Sequence, residues 1–111
     1  DMPGYFLTTT RQASGILDDV DSANLYLQYD VYHMQIMEGD LSRTIEAHID
    51  RIAHIQIADP PLRSEPGTGE INVTYLFDFL DRIGYDGWVG CEYTPLGTTE
   101  DGLGWASAYL R

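Results

Sequence analysis

The sequence predicts an α/β fold in which parallel strands are joined by crossover helices. Helical and extended patterns alternate along the chain, and short apolar strands recur about every 30 residues, the size of one βα unit. Such units place their strands parallel and their connections right-handed. Each strand is apolar enough to read as buried on both faces, as a parallel sheet requires.

The elements follow in order. "TTTRQASGILDDVD" offers Thr8 to Thr10 as caps and reads as a helix. "NLYLQYD" is a strand whose bulk comes from Leu25, Tyr26, Leu27 and Tyr29. "EGDLSRTIEAHIDRI" is a helix with Asp40 as N-cap and Leu41, Ile45, His48, Ile49 and Ile52 on one face. "HIQIAD" is a buried strand with Ile55 and Ile57 on one side, and "PPLRSEPGTGEI" is a loop rich in Pro and Gly. "NVTYLFDFLDRIG" is a helix capped by Asn72, with Val73, Leu76, Phe77, Leu80 and Ile83 on its apolar face and Gly84 at C′. "GWVGCEY" is the third strand, and "GLGWASAYL" a closing helix.

The 111 residues suffice for a single domain spanning 1–111, and the 43% hydrophobic content for a core. Net charge is −12, and all six basic residues are Arg. That balance opposes a nucleic-acid backbone, where affinity comes from cationic neutralisation, and equally an anionic membrane surface. No apolar run nears the ~20 residues of a membrane span. A lone cysteine, Cys91, excludes an internal disulfide and fits a reducing, cytoplasmic setting.

The functional signal lies where the strands stop. The first ends at Asp30 with His33 just beyond, the second carries Gln56 and ends at Asp59, and the third ends Cys91-Glu92-Tyr93. In α/β folds ligands bind at the carboxyl edge of the strands, where successive βα units bring such residues side by side. Asp30, Gln56 and Glu92 then form an oxygen-donor set suited to a hard divalent cation, Mg²⁺ or Mn²⁺. His33 reaches the same site if the chain turns into a loop after Asp30, because residues three apart on a continuing strand face opposite sides.

Arg63 lies in the next loop and offers a fork for a substrate carboxylate; its plainer reading is a surface partner for Glu65 or Glu70. Read plainly, Asp30 is a turn residue or the cap of a following helix, His33 a surface or packed residue, Gln56 a partner for neighbouring backbone, and Glu92 a partner for an Arg. "PGTG" lacks the Lys and the spacing of a phosphate loop. His48 reads as structural and His54 as a weak site candidate. Cys91 faces away from Glu92 and reads as packing. Trp88 and Trp105 read as anchors of the core and the closing helix.

"YDVYHMQIMEGDL", "HIQIAD", "EPGTGEI" and "GYDGWVGCEYTPLGTTEDGLGW" together resemble the C-terminal part of the hydroxypyruvate isomerase family, related to the 2-oxo-tetronate isomerases among the xylose-isomerase-like barrels. The resemblance implies a (βα)₈ TIM barrel to which this chain gives strands six, seven and eight with their flanking helices. It implies a divalent metal on Asp30, Gln56, Glu92 and a fifth-strand Glu, with His33 and Arg63 facing the substrate. Glu92 and the fifth-strand Glu would move a proton between adjacent carbons through a cis-enediolate, interconverting hydroxypyruvate and tartronate semialdehyde.

The fifth-strand Glu is not in this sequence, and three strands cannot close a barrel of about 250 residues. The expectation is therefore an inactive part of a longer enzyme. Its partners are a small hydroxy-keto acid and the missing barrel half, with a homo-oligomer left open. Competing readings are a 2-oxo-tetronate isomerase, a ketose 3-epimerase, or a small non-catalytic α/β binding domain. The last predicts that Asp30, Gln56 and Glu92 do not converge.

Overall fold

The structure, a computed structural model, describes residues 1–110. Helix α1 (Thr10–Val20) leads into strand β1 (Leu27–Asp30), which passes directly into helix α2 (Val31–Met37). Helix α3 (Leu41–His48) and a 3-10 turn (Ile49–Arg51) precede β2 (Ile52–Ile57). Helix α4 (Val73–Arg82) and β3 (Trp88–Cys91) follow, then a short α5 (Thr99–Gly102) and a 3-10 segment (Leu103–Ala108). The strands form one parallel sheet in the order β1-β2-β3.

Local chemistry accounts for the helix limits. The Thr9 hydroxyl accepts from the Gln12 N–H and opens α1. Asn72 does the same for Tyr75 at the start of α4, and Gly84 beyond its end takes a positive φ of 76°. On α4 the expected Val73, Leu76 and Leu80 are buried, joined by Phe79. Phe77 is half-buried and packs edge-on against Tyr109 at 4.6 Å, with Trp105 at 6.4 Å. Trp105 thus anchors the closing segment as expected, although that segment is a 3-10 helix.

The register sorts the sheet into two unlike faces. Tyr29, Ile55 and Val89 are cross-strand neighbours, as are Asp30, Gln56 and Gly90 one step on. The first face, with Leu27 and Ile57, joins the core with Ile45, Leu76 and Leu80 from the helices. The second carries Gln28, His54 and Trp88 at one level and Asp30, Gln56 and Gly90 at the next. The strands are therefore not apolar on both faces. Trp88 is 84% exposed on the second face, not a core anchor.

Four further expectations are corrected. No loop follows Asp30, because α2 begins at once. Ile52 has helical spacing after Ile45 and Ile49, but its backbone pairs with Leu27, so β2 starts two residues before His54. Asp40 holds the N-cap position of α3 with a left-handed backbone and makes no side-chain cap; it pairs with Arg43 at 3.5 Å instead. Leu25 and Tyr26 precede the first strand and are exposed.

Candidate active site at the carboxyl edge of the sheet

Parallel strands deliver all their carboxyl ends to one edge, and there three of the five candidate residues meet. Glu92 follows β3, and its N–H extends the ladder to Ile57 O at 3.2 Å. By alternation its side chain joins the face of Gly90 and Gln56. Glu92 Oε2 accepts from Gln56 Nε2 at 2.6 Å and from an Arg63 terminal nitrogen at 2.6 Å. Arg63 therefore pairs with Glu92, and not with Glu65 or Glu70. The pair is partly open to solvent, so it contributes about 0–1 kcal/mol to stability and chiefly orients two side chains.

Arg63 is held from two further sides. Its backbone is left-handed, with φ of 55°, and its carbonyl accepts from the Thr94 N–H at 2.7 Å. Its guanidinium lies 5.2 Å from the centre of the Tyr32 ring, within cation–π range. Tyr32 went unnoticed in the sequence because it sits among apolar neighbours and reads as core, which it also is.

Asp30 is the register partner of Gln56 and so shares its edge. It is also the N-cap of α2: its Oδ1 accepts from the His33 N–H at 3.2 Å. The Asp30–His33 spacing is thus a capping signature, and the plainer reading of Asp30 holds alongside any role as ligand. The His33 ring stands over the start of α2, edge-on to Tyr32, with its Nδ1 3.6 Å from Asp1 Oδ1. Its Nε2 is 4.0 Å from Asp30 Oδ2, beyond hydrogen-bond reach.

Two buried carboxylates, which the sequence places at a strand end and on the surface without giving either a loop-building role, build the loops around this edge. Asp59 is 1% exposed; its Oδ2 accepts from the Gly67 N–H at 2.9 Å and its Oδ1 from Ile71 N–H at 3.0 Å. A Cβ on Gly69 would run into Pro60 O and the Asp59 carboxylate, so only glycine lets the loop fold back this closely. Glu65 is 4% exposed and accepts from the Leu96 N–H with both oxygens at 3.1 Å. The clue was an Asp at a strand end followed by closely spaced Pro and Gly, the composition of a loop that needs an internal acceptor.

Of the remaining candidates, His48 bonds its own helix through Nδ1 to Thr44 O at 2.9 Å, a structural role. His54 shares the face of Gln56, and a Cβ on Gly90 would stand 2.7 Å from His54 Nε2 and 3.8 Å from Gln56 Oε1. Cys91 faces away from Glu92 but is exposed and not packed, while neighbouring atoms desolvate its thiol enough to push its pKa up.

Among the described residues no three His, Cys, Asp or Glu side chains gather closely enough to hold a metal ion. The donor set nevertheless fits a hard cation in kind. It comprises the Gln56 amide, the Asp30 carboxylate at the adjacent register position, and the Glu92 carboxylate two residues beyond Gly90 on the same face. Gln56 points its Nε2 at Glu92, which directs its Oε1 away from that contact.

Helix-linked parallel strands with charged groups collected at their carboxyl ends are the construction of α/β barrel and open-sheet enzymes. The chain belongs to the xylose isomerase-like TIM barrel family, whose model matches residues 1–109. It is 57% identical over 109 residues to hydroxypyruvate isomerase of Escherichia coli, covering 98% of this chain and 42% of that protein. It is 51% identical over 110 residues to 2-oxo-tetronate isomerase of Cupriavidus necator, covering 99% and 42%. A crystal structure from Brucella melitensis, described as an AP endonuclease, family 2, superposes with a TM-score of 0.95 at 49% identity, covering 99% of this chain and 43% of that one. The chain thus spans about 42% of the length of the curated relatives it matches.

Proposed function

We propose that this chain is part of an isomerase that interconverts hydroxypyruvate and 2-hydroxy-3-oxopropanoate. The observation that carries the reading is the meeting of Gln56, Arg63 and Glu92 through two 2.6 Å contacts at the carboxyl edge of the sheet. A non-catalytic domain has no need to spend an arginine and two oxygen-bearing groups there. The −12 charge and the absence of Lys speak against DNA as substrate.

Arg63 binds the substrate carboxylate through the guanidinium nitrogens not committed to Glu92. Glu92 Oε2 is occupied by Gln56 and Arg63, so its Oε1 is the atom that takes a proton from one carbon or returns it to the neighbouring one. A proton leaves C3 of hydroxypyruvate, a cis-enediolate forms as the C2 carbonyl oxygen takes up charge, the O3–H proton moves to O2, and reprotonation at C2 leaves the aldehyde at C3. A second acid/base group, a Glu from a strand outside this chain, completes the exchange. His33 faces the substrate from the start of α2. A divalent cation, Mg²⁺ or Mn²⁺, held by Asp30, Gln56, Glu92 and that further Glu would supply charge stabilisation for the oxygens.

The same reading makes the chain strands six to eight of the barrel, an assignment that rests on the motif resemblance. It also makes the 111 residues alone inactive, and it places the enzyme in the cytoplasm. The 51% identity to a 2-oxo-tetronate isomerase keeps that substrate as the second reading.

The test uses the full-length protein carrying this chain, given hydroxypyruvate and 2-oxo-tetronate separately in D₂O. The reading expects turnover of hydroxypyruvate with solvent deuterium entering at the exchanged carbon. Glu92→Gln should lose about 10²- to 10⁴-fold in kcat. Turnover of 2-oxo-tetronate alone would transfer the assignment to the second reading. A Glu92→Gln variant within threefold of wild type would remove Glu92 from the chemistry.

A further inference from the structure

We infer that Glu65 is a positioning residue that locks the loop after β3 to the loop after β2, and thereby fixes Glu92 against Arg63. The inference deepens the isomerase reading and rests on it for the roles of those two residues. Glu65 itself touches neither of them.

The two loops are joined at three levels. Nearest the sheet, the Glu92 N–H donates to Ile57 O at 3.2 Å. At the next, the Thr94 N–H donates to Arg63 O at 2.7 Å. At the outermost, the Leu96 N–H donates to both Glu65 oxygens at 3.1 Å. Alternate N–H groups of one segment, at 92, 94 and 96, are thus bound by successive parts of the other. The first two acceptors are backbone and survive any substitution. The third is a side chain, and it closes the series.

Glu65 is a costly choice for a mere surface contact. Its carboxylate is buried, and burying a carboxylate is unfavourable unless hydrogen bonds return the loss. The chain makes room for it from the far side as well. Gly102, at the end of α5, lies so close that an added Cβ would collide with Glu65 Oε1 and crowd its Cδ at 3.2 Å. The backbone there is ordinary right-handed helix, so glycine is required by the carboxylate and not by its own φ. Strand-end Glu92 and loop residue Arg63 come from different βα units, and an uncommitted loop after β3 would let their 2.6 Å contact drift.

The experiment uses the full-length protein with three variants: Glu65→Ala, Glu65→Gln and Gly102→Ala. Amide hydrogen exchange is followed at Thr94 and Leu96, with Ile55 in β2 as an internal standard, and kcat and KM are measured with hydroxypyruvate. Glu65→Ala should speed exchange at Leu96 at least tenfold and at Thr94 severalfold while Ile55 is unchanged. Its kcat should fall at least tenfold with KM within threefold. Glu65→Gln keeps one acceptor oxygen and should recover most of both losses. Gly102→Ala should reproduce the exchange pattern by displacing the carboxylate, and it keeps the test open if Glu65→Ala fails to fold. Wild-type exchange at Leu96 in both Glu65→Ala and Gly102→Ala would overturn the lock, as would fast exchange with unaltered kcat. A wild-type protein inactive on hydroxypyruvate would overturn the isomerase reading alone, since the exchange rates judge the lock independently.

Discussion

Replacing Asp59 by Asn changes one oxygen to an amide nitrogen and nothing in shape, yet it should destabilise the protein strongly. Both Asp59 oxygens are in use, one for Gly67 N–H at 2.9 Å and one for Ile71 N–H at 3.0 Å. Asn offers a single acceptor, so one backbone N–H must face another N–H in a site that is 1% exposed. A hydrogen bond to a charged group contributes about 1.5–3 kcal/mol, and the surviving bond drops to the neutral range of about 0.5–1.5 kcal/mol. Relief from burying a charge offsets part of that loss. The net expectation is a loss of about 2 kcal/mol. Urea denaturation of the full-length protein measures it, as a fall in midpoint at unchanged m. Limited proteolysis should cut first between Pro60 and Glu70, because the loop loses its internal anchor. A midpoint shift worth less than about 0.5 kcal/mol, a size typical of ordinary surface substitutions, together with an unchanged cleavage pattern, would refute this account of the loop.

Two further outcomes follow from groups elsewhere in the sheet. Tyr29 lies in the core and its hydroxyl is buried with no hydrogen-bond partner among the described residues; burial first, then the Glu38 carboxylate, pushes its pKa up. Above pH ~10 the unfolded chain therefore ionises Tyr29 while the folded chain keeps it neutral, and stability falls with rising pH by at most about 1.4 kcal/mol per unit. Tyr29→Phe should be neutral or slightly stabilising at pH 7 and flatten that alkaline decline, as read by urea melts at pH 7, 10 and 11. Gly90→Ala places a Cβ 2.7 Å from His54 Nε2, the end of a half-buried ring that can swing aside, and should cost about 1 kcal/mol, the low end of overpacking. Most of this should vanish in the background of His54→Ala, so a double-mutant cycle without coupling would exclude the contact.

Much of this architecture can be read from the residues, because α4 and β2 are written in one period each. Val73, Leu76 and Leu80 recur at helical spacing, and Ile55 and Ile57 alternate. The failures have physical causes. Helix α2 escapes because "VYHMQIM" is apolar on too many sides to show a helical stripe, and it starts with no intervening loop. Ile52 satisfies both periods, and only strand pairing decides between them. Trp88 looks like core by composition, whereas its face of the sheet is open. At the site, strand ends pointed to Gln56 and Glu92, and an Arg partner for Glu92 was legible, but the 29 residues between them hid that this partner is Arg63. Asp59 left only the compositional clue of the Pro and Gly that follow it, and Glu65 none, since their partners are backbone N–H groups that no side-chain pattern reveals.

The crossed hydrogen bonds between the two loops also constrain how such a site can be altered. Segments 59–71 and 92–102 are coupled, because each supplies what the other requires: Glu65 for the Leu96 N–H, Arg63 O for the Thr94 N–H, and room at Gly102 for the Glu65 carboxylate. Replacing the loop after β2 by one without an acceptor at position 65 would strand the Leu96 N–H. The contact of Arg63 with Glu92 is therefore expected to survive paired exchange of both segments and to be lost on piecemeal exchange of one.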